Sequence, residues 1–318
     1  MTNILILGGS GFVGRSLCDK LVERSGGAGG SIIVPSRRPA RAKHIQLLPT
    51  VQVPQADIHD EPQLTRLLAG CDAVINLVAI LHGSQADFQH VHVELPRKLV
   101  RACRAAGVRR MVHVSALGAS ESAPSRYLRS KAAGEAVLTA ADNLDLTLLR
   151  PSVIYGEQDH FMNLFAALQT VLPVFPLAGA EAQFQPVWVQ DVAEAITRCI
   201  DEPGTIGQTL ECAGPEVFTL KQLVQLAGRA AGHERPVIAL PDGVGRLQAG
   251  FMEMLPGQPL MSRDNLDSMR SPNVASGHLP GLARLGITPA AIGGIAPTYL
   301  SPGQGVARLD AWRARGGR

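Results

Sequence analysis

The stretch ILILGGSGFVGRSL, residues 4–17, decides the fold. Its first four residues, Ile4 to Leu7, are continuously apolar, as a short strand buried on both faces requires. The run ends at glycine, and from Phe12 the apolar residues recur at helical spacing. Gly8, Gly11 and Gly14 therefore stand as Gly-x-x-Gly-x-x-Gly across a strand-to-helix turn. Glycine at such a turn permits a positive φ and lets the backbone approach a pyrophosphate closely. The helix opening at Phe12 and Val13 turns its unpaired N–H groups and positive dipole end toward the same place, and Ser10 adds a hydroxyl. In a chain with 33 glycines an ordinary tight turn is the competing reading. Position favours the phosphate cradle, because the motif follows the first strand, opens a helix and begins a βαβ unit of the right length.

Outward from this motif, β-rich runs alternate with helical ones. Strands are expected at Ile4–Leu7, Ile32–Val34, Val51–Val53, Ala73–Leu77, Met111–Ser115 and Leu146–Leu149, and helices at Val13–Arg24, Glu61–Leu68, Phe88–Ala106 and Tyr127–Ala140. Such alternation predicts an α/β fold, a doubly wound parallel sheet with both faces covered. After Arg150-Pro151 proline and glycine become frequent and the alternation lapses. The expected organisation is a dinucleotide-binding domain over residues 1–155, to which 184–200 return, and a smaller, partly interleaved domain over 156–318.

The 318 residues are 46% hydrophobic and 18% charged, as suits a globular protein with a large core. Thirty basic and 27 acidic residues leave a net charge of +3, which gives no reason to expect a nucleic-acid partner. Five widely spaced cysteines without a Cys-x-x-Cys pair point to a reducing compartment. Neither a signal peptide nor a run of membrane-spanning length is evident, so a cytoplasmic location is expected, with peripheral attachment to the inner face of the membrane as the alternative.

The second strand ends in Ser36, Arg37 and Arg38, where a site selective for NAD(H) usually carries an acid for the ribose hydroxyls. Guanidinium groups instead suit a 2′-phosphate, so NADP(H) is favoured over NAD(H), against the plainer reading of a solvated basic turn. Tyr127 and Lys131 lie four residues apart, on one face of a helix. An ammonium beside a phenol stabilises the phenolate and would let Tyr127 exchange a proton with a substrate oxygen during hydride transfer. The competing reading is an amphipathic helix with a half-buried tyrosine and a solvated lysine.

The glycine loop, "DIHD" at 57–60, "INLVA" at 75–79, "HVSALG" at 113–118, Tyr127/Lys131 and "LRPSVIYG" at 149–156 together resemble the short-chain dehydrogenase/reductase superfamily, in its extended or atypical branch. The resemblance spans nearly the whole chain and implies a Rossmann fold. "FQPVWVQDVAEAI" at 184–196 and "SRDNLDSMRSPNVASG" at 262–277 are similar to bacterial relatives of the dinucleotide-binding accessory subunit of respiratory complex I. The resemblance implies that Asp57 and Ile58 meet the adenine, that Leu77, Val78 and Ala79 line the ribose and pyrophosphate groove, and that Pro151 and Val153 border the nicotinamide. Lys131 would also hold the nicotinamide ribose. Ser115 is the candidate catalytic hydroxyl, although Ala116 follows it. Where related extended members carry a relay asparagine this chain has His92, which leaves the expected proton relay incomplete.

Two classes of function follow. One is an NADP(H)-dependent reductase-like protein whose second domain receives a hydrophobic small molecule, a quinone among them, or a respiratory-chain protein. The other is a non-catalytic nucleotide-binding structural or assembly factor of a respiratory complex. A nucleotide-sugar epimerase is a weaker third. No metal site is expected, since His90 and His92 face different ways on a helix and have no further ligands. "GVGRLQAGFMEML" reads as a core-facing helix rather than a docking one.

Overall fold

The computed structural model describes residues 2–254 and 260–304. Its main sheet has strands β1 (Ile4–Leu7), β2 (Ile32–Ile33), β3 (Val51–Gln52), β4 (Ala73–Asn76), β5 (Arg110–Val114), β6 (Asp145–Pro151) and β7 (Thr209–Cys212). They lie in the order β7-β6-β5-β4-β1-β2-β3, with every pairing parallel. The continuous apolar runs of the sequence are explained by burial on both sides. Leu5, Leu7, Val74, Met111 and Leu148 share a core with Leu64, Leu68, Leu95, Leu99 and Leu138, while the alternate residues Ile4, Ile6, Ile75 and Val112 are equally buried. The chain leaves β1 toward β2 and β3 and then crosses back to β4 on the other side. This reversal at β1 and β4 opens a crevice at the carboxyl ends of the strands, the usual ligand position in such sheets.

The expected helix at Phe88–Ala106 starts earlier and is not uniform. It runs through Gln85–Gln89, a π turn at His90–Glu94 and Leu95–Ala106. Pro96 supplies the cause: it has no N–H to offer the carbonyl four residues back, and its ring crowds that carbonyl. The freed carbonyl belongs to His92. A Cβ on Gly134 would lie 2.1 Å from it, so only glycine lets the helix Arg126–Thr139 pack there.

Contacts divide the chain into two units. The first comprises 1–151, 190–212 and 276–287, and the second 152–189, 213–275 and 288–318. The handover thus falls at Pro151, the last residue of β6, and the returning segment is the helix after Val189 followed by β7. In the first unit Gln190 Nε2 donates to Ser16 Oγ at 3.1 Å and Arg24 pairs with Asp201 at 2.7 Å, which docks this helix beside Phe12–Arg24. A second return, 276–287, was not expected. It is anchored by Glu211, whose carboxylate accepts from the Ser276 N–H at 2.7 Å and hydroxyl at 3.0 Å.

Among the described residues the second unit has three short two-stranded pairings and helices around Tyr155, Phe165, Phe175, Leu223 and Ile292. Asn273 ties its start together, accepting at Oδ1 from Ser152 Oγ and the Val153 N–H. The helix Asp242–Met254 corrects the sequence reading. Its buried face consists of Gly245 and Ala249, whereas Leu247, Phe251 and Met254 are 77%, 65% and 82% exposed. A Cβ on Gly245 would come within 2.6 Å of Ala178 Cβ, so the small-residue face is the one that packs. All five cysteines are buried and free. Among the described residues no helix is long and apolar enough to cross a membrane.

Candidate dinucleotide site

The four glycines of the loop do different work. Gly8 has φ +80°, and a Cβ there would meet the Leu77 carbonyl carbon at 3.2 Å and the Val78 nitrogen at 3.3 Å. The loop therefore rests on the backbone that follows β4. A Cβ on Gly14 would fall 2.3 Å from the Gly9 carbonyl oxygen, and one on Gly9 only 2.8 Å from Val34 Cγ1. Gly9, outside the spaced motif, is thus as restricted as the motif glycines, and its signal is contact with Val34, the residue that follows β2. Gly11 differs. It is exposed, and a Cβ there would meet only the Gly8 carbonyl, at 3.2 Å. It is also the N-cap of the helix Phe12–Arg24 and places no side chain over the helix end. Ser10, Phe12 and Val13 are half-buried around this opening. A bare helix N-terminus behind an exposed glycine fits a pyrophosphate.

At the end of β2, Ser36 forms a bridge with Gln55, and its hydroxyl accepts the Arg38 N–H at 3.1 Å. Arg37 and Arg38 are exposed, and among the described residues neither takes part in an ion pair. Asp57 is exposed and accepts the His59 N–H at 3.0 Å, while Ile58 packs against the sheet core. Asp60, within the same short motif, caps the helix Glu61–Leu68 by accepting from the Gln63 N–H at 3.0 Å.

Leu77, Val78 and Ala79 continue β4 along the crevice. Their course is set by Asn76, buried at the strand end, whose Oδ1 accepts the Val78 N–H and whose Nδ2 donates to His113 Nδ1, each at 3.1 Å. Asn76 and His113 were not singled out from the sequence. Each is a polar residue in an otherwise apolar strand, and they pair only because the β4–β5 register sets them side by side.

Tyr127 and Lys131 do share a helix face, on Arg126–Thr139, which is capped by Ser125. Lys131 is only 2% exposed, and its ammonium donates to the Val114 carbonyl at 2.9 Å. Burial draws the lysine down to about 8, against the pull of Glu135. The Tyr127 ring lies 5.7 Å from that of His92 and 6.3 Å from that of Phe88. Burial pushes its phenol up to about 12, the opposite of the lowering expected from a neighbouring ammonium. Ser115 is buried, its N–H donating to the Leu149 carbonyl at 2.7 Å and its hydroxyl without a partner among the described residues. Pro151 ends β6 and accepts the Leu117 N–H at 2.9 Å. Val153 belongs to the second unit. His90 is exposed beside Glu94 and His92 is buried, so the two do face apart.

Residues 4–213 match the NAD dependent epimerase/dehydratase family. The chain belongs to this family. Within it, the chain is 31% identical over 291 residues to the mitochondrial NADH dehydrogenase (ubiquinone) 1 alpha subcomplex subunit 9 of Mus musculus, covering 89% of this chain and 76% of that protein. It is 30% identical over 251 residues to the ceramide reductase of Caulobacter vibrioides, covering 78% and 76%. Its backbone is similar to that of an NADPH-dependent quinone oxidoreductase from Escherichia coli complexed with NADPH, with a TM-score of 0.75 over 92% of this chain and 98% of that one at 22% identity. The family's extended short-chain dehydrogenase/reductase architecture, a NAD(P)-binding Rossmann sheet with a smaller second unit, is the one described above.

Proposed function

We propose that this chain binds NADP(H) in preference to NAD(H) and keeps the nucleotide as a structural element, as a nucleotide-holding accessory component of a respiratory-chain assembly at the inner face of the membrane. The observation that carries this reading is the state of the Tyr127/Lys131 pair. The Lys131 ammonium donates to the Val114 carbonyl, and burial shifts the neighbouring phenol up rather than down, so the pair does not form the lowered-pKa phenolate that its spacing suggests. This supports a site that holds a dinucleotide over one that draws a proton through a Tyr127 phenolate. The kinship with a respiratory subunit across most of both chains supports the assembly role. Arg37 and Arg38, exposed and in no ion pair among the described residues, with no acidic residue in the Ser36–Arg38 turn itself, support the phosphorylated nucleotide. When bound, the nucleotide would bring a hydride carrier to the crevice. Gly8, Gly11, Gly14 and the first turn Phe12–Gly14 would hold its pyrophosphate, Leu77–Ala79 and Asp57–Ile58 its adenosine half, and Lys131 and Pro151 its nicotinamide half.

A second reading, an NADP(H)-dependent reductase of a hydrophobic carbonyl compound or quinone, is favoured by one observation: Tyr127 and Lys131 are both kept, on one helix face, with Ser115 on the adjoining strand end. Two variants separate the readings. Under the structural reading Tyr127→Phe leaves nucleotide content, affinity and melting temperature unchanged, whereas Lys131→Ala lowers retention of NADP(H) on purification by about tenfold. Reduction of a quinone or long-chain ketone by NADPH that slows about 100-fold or more in Tyr127→Phe would replace the structural reading with the second one.

A further inference from the structure

His92 sits in the π turn, buried beneath the site, and its ring is bonded on both sides. The Ile80 N–H donates to Nε2 at 3.0 Å, so Nε2 carries a lone pair and the proton is on Nδ1. Nδ1 lies 2.8 Å from Ser130 Oγ and therefore donates to it, and the Ser130 hydroxyl in turn donates to the Tyr127 carbonyl at 2.7 Å. The protons run in one direction, from the Ile80 N–H to the ring, from the ring to the Ser130 hydroxyl and from the hydroxyl to a peptide carbonyl. The chain ends there, so it holds position and conducts nothing. Burial and the charge of Lys131 pull the imidazole down to about 3, which keeps it neutral at any physiological pH.

What the ring connects gives it meaning. Ile80 belongs to the segment after β4, whose Leu77 and Val78 lie against Gly8 of the glycine loop. Ser130 is the residue before Lys131 on the helix of Tyr127. Pro96 releases the His92 carbonyl, and Gly134 lets that helix close to van der Waals distance over it, so backbone and side chain of one residue both brace the same helix. We infer that His92 is a positioning residue: as a neutral Nδ1–H imidazole it fixes the Tyr127/Lys131 helix against the backbone that borders the glycine loop, and so sets where Lys131 meets the nicotinamide half of a bound dinucleotide. The inference rests on the nucleotide reading above.

Glutamine at 92 places an acceptor where Nε2 stands and nothing where Nδ1 stands, so His92→Gln keeps the Ile80 bond and removes the Ser130 one. Ser130→Ala removes the same bond from the other side. Each variant is expected to weaken NADP(H) binding about three- to tenfold, and the double variant no further than the weaker single one. Adenosine 2′,5′-bisphosphate, which lacks the nicotinamide half, should bind all of them as it binds wild type. General loosening of the fold would weaken both ligands alike. Nitrogen NMR on labelled wild type should show His92 as the Nδ1–H tautomer, without titration down to about pH 4. An Nε2–H tautomer, additive losses in the double variant, or equal loss of both ligands would overturn the positioning role while leaving nucleotide binding intact. Failure of wild type to bind NADP(H) would overturn the nucleotide reading and this role with it, and the tautomer would then report a folding contact.

Discussion

Replacing Lys131 by methionine should remove a pH dependence that its burial creates. The ammonium is 2% exposed, and burial brings its pKa from 10.5 to about 8. Below pH 8 the lysine is charged in folded and unfolded chains alike, and the folded chain bears the cost of desolvating it. Between pH 8 and 10.5 the folded chain gives up the proton while the unfolded chain keeps it. The unfolded state then binds more protons, so stability rises with pH. A gap of 2.5 units corresponds to about 3 kcal/mol in full, of which about 1 kcal/mol should be recovered between pH 7 and 9 and a further ~1 kcal/mol by pH 10. Urea unfolding of nucleotide-free wild type and Lys131→Met at several pH values isolates this contribution, because the other groups that titrate in this range are common to both. The methionine variant should be the more stable at pH 7, and the difference should close as pH rises. A constant difference, or one that widens with pH, would show that the ammonium is not held in the desolvated setting described here.

Arg37→Ala/Arg38→Ala should weaken NADP(H) by about 1.5–3 kcal/mol for each guanidinium that grips the 2′-phosphate, while leaving NAD(H) unchanged in parallel titrations; equal effects on the two nucleotides would refute the 2′-phosphate assignment. Gly11→Val should fold, at a cost of about 1 kcal/mol for the poorer helix cap, yet bind no dinucleotide by calorimetry, because its side chain fills the exposed space in front of the helix. Gly14→Ala, whose methyl would enter the Gly9 backbone, should instead cost about 3 kcal/mol or more in melting experiments, and a Gly14→Ala chain as stable as wild type would refute that packing.

The sheet was legible because strands buried on both faces must be largely apolar, as β1 is throughout and β4 is up to Asn76. The glycine loop was legible for a related reason: turning from strand to helix against β4 requires glycine at Gly8, whatever the loop binds. Other features depend on partners far along the chain. Pro96 announces a disturbed helix, but its outcome needs Gly134 to receive the His92 carbonyl. The helix Asp242–Met254 has an apolar stripe in its sequence, yet periodicity does not say which face packs, and the close approach of Ala178 to Gly245 selects the small one. The spacing of Tyr127 and Lys131 correctly predicts a shared face. The direction of the phenol's shift was not readable there, because desolvation is set by what surrounds the pair, including Phe88 and His92, which arrive from another helix.

The division of the chain bears on how it is made. It passes between its two units five times, at 151/152, 189/190, 212/213, 275/276 and 287/288. During synthesis β6 emerges with an unpaired edge, since its neighbour β7 follows only after the chain has passed through the second unit once. Until residue 212 has left the ribosome that edge offers open backbone donors and acceptors to any other strand, and until 287 has left it Glu211 lacks its partner Ser276 and the bracing segment that follows. A premature stop anywhere between 151 and 208 would therefore release a sheet of six strands with an adhesive edge, so truncated products of this chain should be cleared or aggregate rather than persist as a free nucleotide-binding fragment.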